Sequence, residues 1–488
     1  MTTLIKNGLI YDGTGSDPIQ KNIFIKNGHI AKIDSVFSHK AEHLIDATGA
    51  IVMPGIIDVG SYADKSFSLF WDPLQENVIR QGITTQIVGN DGTSIAPFSR
   101  SSLEFMIPHT TRASIVHNWH DVKGFLKSIH GRVTTNIGTL VGMRTIKSLV
   151  TNDESKELNK KELEKLKHIT RVALSEGAFG ISIGYSHTTH ANTPYYEIND
   201  FAPLAEKTKR VCAIHPPVND ISSAFEEILK FSPKSGINME ISHLRTFLDR
   251  SCTQKKICSF IEELSEKNYV HFDITPHNYS SIHAHELLPT WVFGNTDNEI
   301  LKRLTDDKNK ARLMRTFSSF EKLKFLVDGV ADPAFQFFEG KTVSAIAENA
   351  GLSFGETLLH LLKVTKLRIY FLVVPPDKKM VHMLASHPRV IYSWGRIRNA
   401  KKQTPLSLLG ERNGEDLIKL ENIIERMTSL PAKKYGITKR GILTQGNYAD
   451  IIVVKDFKPT HVLVNGINVF ENNVSKKVFP GMALIPQK

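Results

Sequence analysis

The sequence predicts an α/β protein in which a (β/α)8 TIM-like barrel lies beside a small composite β-sandwich domain formed by the N- and C-terminal segments. Three observations support this fold class. Apolar β-branched runs end in Gly, Ser, Asn or Asp early in the chain, helical and strand patterns alternate through its middle, and short strands with Gly and Asn turns occur at both ends. No internal repeat or long low-complexity linker interrupts the series.

Length and composition are ordinary for a globular protein. The 488 residues, of which 41% are hydrophobic and 23% charged, can form one large barrel and a smaller domain. No run reaches the ~18 apolar residues of a membrane-spanning helix, and residues 1–6 lack the apolar core of a secretory signal. We therefore expect no membrane association and a cytoplasmic location.

The net charge of +11 raises the question of an anionic partner. The lysines are scattered over polar helix faces such as 159–167, and the sequence contains no nucleic-acid motif and no basic patch interleaved with aromatic residues. We therefore expect no nucleic-acid partner. A basic surface that binds an anionic polymer is a weaker alternative that rests on charge alone.

The two ends of the chain carry similar β patterns. Residues 4–53 alternate short β-type runs with Asn-Gly turns at 7–8 and 27–28, a strong hairpin signal because both positions can adopt positive φ. Residues 441–466 again show short strands with Gly and Asn turns. We expect residues 1–53 and 433–488 to form the composite β-sandwich domain, and residues 54–432 to form the barrel.

Between the ends, helical and strand signals alternate as in βα units. Apolar residues recur at helical spacing on a Lys/Glu background, and each such stretch is followed by a compact apolar run. The predicted helices are 160–174, 224–231 and 417–428, and the predicted strands are 177–184 and 239–243.

Two strand ends near the start of the barrel are the first candidates for a functional site. The run 51–57 leads to Gly60 and Tyr62, and the run 83–88 leads to Asp91. In a parallel β/α architecture the turns after the strands line the ligand site. We therefore expect these three residues to border a pocket.

This stretch resembles the N-acyl-D-amino-acid deacylases (D-aminoacylases) of the metal-dependent amidohydrolase superfamily. In that family PGFID is followed by His-x-His, and QGxTTxxxGNCGxSxAP comes shortly after. The resemblance covers nearly the whole chain, with further landmarks at 140–142, 177–182, 241–243, 287–289 and 427–432. It implies the barrel fold and hydrolysis of non-peptide carbon–nitrogen (amide) bonds by a metal-activated water.

Most of the reactive positions of the family are substituted in this sequence. Gly60 and Tyr62 stand where the family has its two histidines, and Asp91 stands in place of its metal-binding cysteine. Thr275 occupies another ligand position. Trp394 replaces the aspartate that binds metal and transfers protons in the family, so family-type catalysis is expected to fail unless another carboxylate substitutes.

Several candidate ligands remain. His243 and His215 match metal or pocket histidines of the family, although Pro217 stands where the resemblance gives a substrate-binding arginine. Asp91 could bind a metal through oxygen, or it could cap its own turn. From these candidate ligands we expect either no cofactor or a single zinc ion.

Three more histidines follow another predicted strand. His277 lies two residues after Thr275 and could share its strand face, although Pro276 interrupts the strand. His283 and His285 form a His-x-His pair that could bind zinc, but exposed loop or helix histidines are the more ordinary interpretation.

Two functional hypotheses follow. The first is a catalytically degenerate, D-aminoacylase-like pseudoenzyme that binds a small-molecule ligand or a protein partner. The alternative is an active metal-dependent hydrolase of the N-acyl-D-amino-acid deacylase type with a rebuilt mononuclear site. That site would use some of Asp91, His215, His243, Asp273, His277 and His283.

Overall fold

The structure of the protein is a computed structural model, and it describes most of the chain. The described residues are 1–36, 40–98, 118–151, 158–185, 196–217, 221–231, 236–244, 253–267, 269–276, 279–294, 296–374, 378–395, 404–410 and 418–487.

Eight parallel strands form the barrel, and each of the first seven pairs with the barrel strand that follows it in the chain. The backbone N–H of Trp394, just after the last strand, donates to Asp58 Oδ1 of the first strand at 3.1 Å. The predicted (β/α)8 barrel is therefore confirmed. Its strands are Ile56–Asp58, Ile83–Val88, Asn136–Thr139 continued by Val141–Gly142, Gly180–Gly184, Val211–His215, Asn238–Ile241, Tyr269–Ile274 and Val390–Tyr392.

The strands form because their residues can be buried on both faces. Ile83–Val88 and Val211–His215 are buried at every position, as expected of strands covered by helices on one side and packed inside a barrel on the other. Among the helices, Lys160–Ser175 begins with a capping box in which Asn159 and Glu162 satisfy each other's backbone N–H groups.

The helices associated with the barrel fall between its strands or follow the last one. They are Ser68–Trp71, Glu76–Ile79, Val122–Ile129, Met143–Ser148, Lys160–Ser175, Tyr196–Lys207, Ile221–Phe231, Gln254–Lys267, Lys378–Ser386, Leu420–Met427 and Ser429–Tyr435, with the 3-10 helix Pro405–Leu409.

A separate lobe lies between the seventh and eighth barrel strands. It contains a three-stranded antiparallel sheet with its own hydrophobic core, which includes Phe317, Phe325 and Phe371. The sequence patterns did not single out this lobe. Its strands are Ser280–His283, Lys324–Val330 and Ile369–Val374, its helices are Asp297–Thr305, Asp307–Ser318, Val343–Ala350 and Phe354–Val364, and its 3-10 helices are Ala284–Leu287, Thr290–Val292 and Pro333–Phe338.

The two ends of the chain meet in one sheet. Ile51–Pro54 pairs antiparallel with Ile451–Lys455 in the centre of a seven-stranded sheet. The other strands of that sheet are Leu9–Ile10, Ile19–Gln20, Lys458–Val464, Ile467–Glu471 and Val474–Ser475, and a four-stranded sheet contains Thr2–Lys6, Asn22–Lys26, His29–Asp34 and His43–Asp46. The exact division of the chain at residues 53 and 433 stays a prediction.

Some predicted element bounds differ from those of the structure. The predicted strand 177–184 begins at Gly180, because Gly177 has a φ of +118° and belongs to the turn. The predicted strand 239–243 ends at Ile241, and His243 lies in the turn that follows. Among the described residues, no helix combines the length and apolarity needed to cross a bilayer.

Candidate functional site at the carboxyl end of the barrel

The candidate residues come from strand ends that meet at one end of the barrel. Asp91 follows the second strand, His215 is the last residue of the fifth, and His243 follows the sixth. Asp91 and His243 both have left-handed backbone conformations, with φ of 53° and 51°. Residues other than glycine adopt such conformations infrequently, although Asp and His do so more readily than most.

Asp91 is the centre of a buried cluster of side chains. Its Oδ1 is hydrogen-bonded to His215 Nδ1, and its Oδ2 accepts hydrogen bonds from Tyr62 Oη and, at 2.9 Å, from Lys65 Nζ. The side chains of Asp91, Lys65 and His215 are at most 1% exposed. The carboxylate is thus held by three side chains from two other segments of the barrel.

The cluster determines the charge of Asp91. Burial alone would raise the pKa of this carboxyl, but the nearby charges of His215 and Lys65 and the hydrogen bond from His215 hold its pKa well below the ordinary value. Asp91 is therefore ionised, and Lys65 neutralises it without help from solvent.

A second carboxylate orients His243. Asp273 Oδ1 lies 2.9 Å from His243 Nδ1, and Asp273 Oδ2 accepts the backbone N–H of His243 at 3.0 Å. Ser393 Oγ also donates to Asp273. Burial raises the pKa of Asp273, but the charge of His243 and these hydrogen bonds outweigh that effect and lower its pKa below the usual value.

Trp394 is buried just after the eighth strand, and its backbone contacts the first strand. Its side chain is 3% exposed, and its backbone N–H shares Asp58 Oδ1 with the backbone N–H of Gly60. A Cβ atom on Gly60 would lie 2.4 Å from His243 Cε1, so this arrangement has no room for a larger residue at position 60. The glycine and the position of His243 are therefore mutually dependent.

Comparison with known proteins identifies the relatives of the chain. It is 24% identical over 526 aligned positions to an N-acyl-D-aspartate deacylase of Alcaligenes xylosoxydans xylosoxydans, an alignment that covers 99% of this chain and 95% of the relative. A D-aminoacylase of the same organism is 23% identical, covering 92% of this chain and 87% of the relative. Over nearly its whole length the chain is thus similar to N-acyl-D-amino-acid deacylases, or D-aminoacylases.

The solved structures agree on the fold. An N-acyl-D-glutamate deacylase of Bordetella bronchiseptica, crystallised with zinc and a phosphonate inhibitor, superposes with a TM-score of 0.79 at 22% identity, and 99% of each chain is covered. A search against family models matches none. The similarity to D-aminoacylases therefore rests on whole-chain matches to individual relatives.

The residues present fit one zinc ion in the kind and number of their donor atoms. One ligand atom each from Asp91, His215 and His243 lies within 4.8 Å of the others, and a carboxylate with two imidazoles is a normal zinc donor set. Because Asp273 engages His243 Nδ1, Nε2 would be the ligand atom. No other such cluster occurs among the described residues.

The remaining sequence candidates that fall within the described residues lie outside this cluster. Thr275 is half-buried just after the seventh strand, and His277 lies outside the described residues. His283 and His285 belong to the separate lobe and are buried, contrary to the exposed positions that the sequence favoured. Their Nδ1 atoms lie 2.9 Å apart, and His285 Nε2 lies 2.7 Å from Asp297 Oδ1.

Sequence reasoning missed Lys65 and the positioning roles of Asp58 and Ser393. Lysine is almost never fully buried without a partner, so no sequence pattern suggested that Lys65 points inward. The sequence did offer one signal for a position near the site, because Lys65 lies three residues after Tyr62 in the turn that follows the first barrel strand.

Proposed function

We propose that the protein is a D-aminoacylase-like protein that has lost the deacylase reaction and keeps the barrel-end site for binding a small molecule or a protein partner. Trp394 carries this proposal. It stands, almost fully buried, where the family has its proton-transferring aspartate, and an indole can neither bind a metal ion nor exchange protons at neutral pH.

The neighbouring carboxylates are poor substitutes for the missing one. Asp58 accepts two backbone N–H groups, Asp91 is neutralised by Lys65, and Asp273 is engaged by His243 and Ser393. Hydrolysis of an unactivated amide needs both an activated water and a group that carries its proton to the leaving nitrogen. Each of these three carboxylates therefore already makes hydrogen bonds or an ion pair with neighbouring groups.

Recognition of an acylated amino acid is also altered. Pro217 stands where the resemblance gives an arginine, and proline has no side-chain donor for a substrate carboxylate. The buried Lys65 ammonium is paired with Asp91. These differences support a ligand other than the N-acyl-D-amino acids of the relatives.

A mononuclear hydrolase is the second candidate, because the ligand atoms of Asp91, His215 and His243 lie close enough together to hold one ion. If zinc bound there, these three residues would hold it, and it would supply Lewis acidity to activate water. Asp273 would keep His243 in the required tautomer through its bond to Nδ1.

The deciding experiment is a turnover assay on untagged protein whose metal content is measured by mass spectrometry. We expect no hydrolysis of N-acyl-D-aspartate, N-acyl-D-glutamate or N-acyl-D-amino acids with apolar side chains, with or without added zinc. The variant Trp394→Asp is also expected to be inactive, with Trp394→Phe as a control that keeps a buried aromatic ring.

The opposite result would support the hydrolase. Turnover by the wild-type protein, lost together with bound metal in the variant His243→Ala, would overturn the proposed loss of catalysis.

A further inference from the structure

Lys65 places a full positive charge inside the candidate metal cluster. Its side chain is 1% exposed, its Nζ lies 2.9 Å from Asp91 Oδ2, and the same Nζ lies 4.4 Å from the centre of the Tyr62 ring. Both the carboxylate and the aromatic face stabilise a cation. The ammonium therefore has two favourable partners in the interior of the protein, a carboxylate and an aromatic ring.

The position of Lys65 is held by the backbone around it. The turn after the first strand is closed by backbone hydrogen bonds from Ser66 to Tyr62 and from Phe67 to Asp64. Asp64 Oδ2 then accepts the N–H of Gly89, just before Asp91, at 3.1 Å. The segments that carry Lys65 and Asp91 are thus tied together independently of the ion pair.

A divalent ion bound by Asp91, His215 and His243 would share the Asp91 carboxylate with this ammonium. Like charges a few ångströms apart repel strongly inside a protein, and the carboxylate cannot neutralise both. We propose that the Lys65 ammonium is the permanent counter-ion of Asp91 and excludes a divalent metal ion from the cluster of Asp91, His215 and His243.

This role of Lys65 rests on the proposed loss of deacylation. A cluster that excludes a metal ion cannot supply the metal-activated water that the deacylase reaction needs. The two can nevertheless fail separately. Turnover of an N-acyl-D-amino acid would refute the loss of catalysis, whereas the role of Lys65 is tested by metal binding, which does not depend on activity.

The test compares zinc binding by untagged, chelator-treated full-length protein, using isothermal titration calorimetry. We expect Lys65→Met to bind one equivalent of zinc at least about 100-fold more tightly than the wild type, because the repulsive charge is gone. Lys32→Met removes an exposed lysine that pairs with Asp34 at 2.7 Å, and this control should leave zinc affinity unchanged. Adding His243→Ala to Lys65→Met should abolish the gain.

Cobalt(II) gives a second measurement that does not depend on activity, since its visible spectrum reports coordination by nitrogen and oxygen ligands. If Lys65→Met does not fold, Lys65→Gln replaces it, because an amide can still donate to Asp91 without a charge. Equal zinc affinity of the wild type and the folded Lys65 variant, whether tight or undetectable, would show a structural ion pair only and would overturn the proposal.

Discussion

At the scale of single residues, the buried ion pair of Lys65 and Asp91 is a departure from an ordinary barrel interior, which is mainly apolar. Both side chains are at most 1% exposed, and they come from different strand ends. Buried pairs lose much hydration on folding, so their net contribution to stability is small, while the loss of one partner is costly. Each member is therefore needed mainly because the other is present.

We predict that Asp91→Ala destabilises the protein by about 3–5 kcal/mol, because it leaves the Lys65 ammonium buried without a counter-charge. The double variant Asp91→Leu, Lys65→Met should recover most of this loss. Urea unfolding followed by circular dichroism measures both effects. The exposed pair of Lys32 and Asp34 provides the control, since Asp34→Ala removes a solvent-screened ion pair and should destabilise the protein far less than Asp91→Ala. Equal losses of unfolding free energy in Asp91→Ala and Asp34→Ala would contradict the prediction.

Asp64 gives a prediction of pH dependence. One of its oxygens accepts the N–H of Gly89 and the other has no partner among the described residues, so burial raises its pKa to about 6. In the unfolded chain the pKa of an aspartate side chain is about 3.9. The folded protein thus binds this proton more tightly, and the resulting stabilisation is complete below about pH 4 and is lost as the pH rises through 6.

The variant Asp64→Asn cannot titrate, so it reveals this contribution by difference. We expect the unfolding free energy of the wild type, relative to Asp64→Asn, to fall by about 2 kcal/mol between about pH 4 and pH 7. Urea titrations of both proteins across that range provide the measurement. A difference that stays constant with pH would show that the pKa of Asp64 is not raised.

At the scale of elements, the loop that carries Asp91 packs directly against the backbone of another barrel strand. A Cβ atom on Gly184, at the end of the fourth strand, would lie 2.3 Å from the carbonyl oxygen of Asp91. The N–H of Gly92 donates to Ser182 Oγ in the same strand at 3.1 Å. The absence of a side chain at position 184 therefore sets how deeply Asp91 enters the site.

We predict that Gly184→Ala destabilises the protein by about 1–3 kcal/mol, because the new methyl group forces two backbone segments apart. Its effect is measured as a lower midpoint of thermal unfolding. Gly355→Ala is the matched control within the helix Phe354–Val364, where the methyl group would meet Ser318 Oγ at 3.3 Å. That control should change stability by less than about 1 kcal/mol, and a similar change in both variants would refute the close packing of the Asp91 loop.

At the scale of the whole molecule, Asp450 joins the barrel to the sheet formed by the chain ends. Its carboxylate accepts hydrogen bonds from Arg440, from Asn136 Nδ2 at 3.1 Å and from the backbone N–H of Asn465 at 2.7 Å. Asn136 belongs to a barrel strand, and Asn465 follows a strand of the seven-stranded sheet. One buried carboxylate thus connects three parts of the fold.

We predict that Asp450→Ala lowers the unfolding free energy by about 3–5 kcal/mol, since Arg440 is 2% exposed and would lose its counter-charge. Unfolding followed by circular dichroism provides the measurement. Glu471→Ala removes a carboxylate from a half-exposed pair with Lys476 in the same sheet and should cost less than about 1 kcal/mol. A loss that does not exceed that of Glu471→Ala would show that the barrel and the sheet are held together by other contacts.

The fold class and the approximate location of the site were predictable because they depend on local patterns. Continuous apolar runs, Asn-Gly turns and alternating helical stretches predicted the barrel and the β strands of the chain ends. The carboxyl ends of barrel strands meet at one end, so residues after different strands, such as Asp91 and His243, were expected near each other. The lobe of residues 280–374 escaped detection because its helices and strands have the same periodicities as those of the barrel.

Sequence by itself determined which side chains stand at positions 60, 62 and 394, where the D-aminoacylases that it resembles have reactive residues. Only the tertiary structure decided how the remaining groups are used. Lys65 and Asp91 are 26 positions apart, and His215 and Asp91 are 124 apart. Pairings over such distances depend on packing between strand ends rather than on local periodicity. The charge state of the site could therefore be inferred only when the folded chain placed a lysine beside the aspartate.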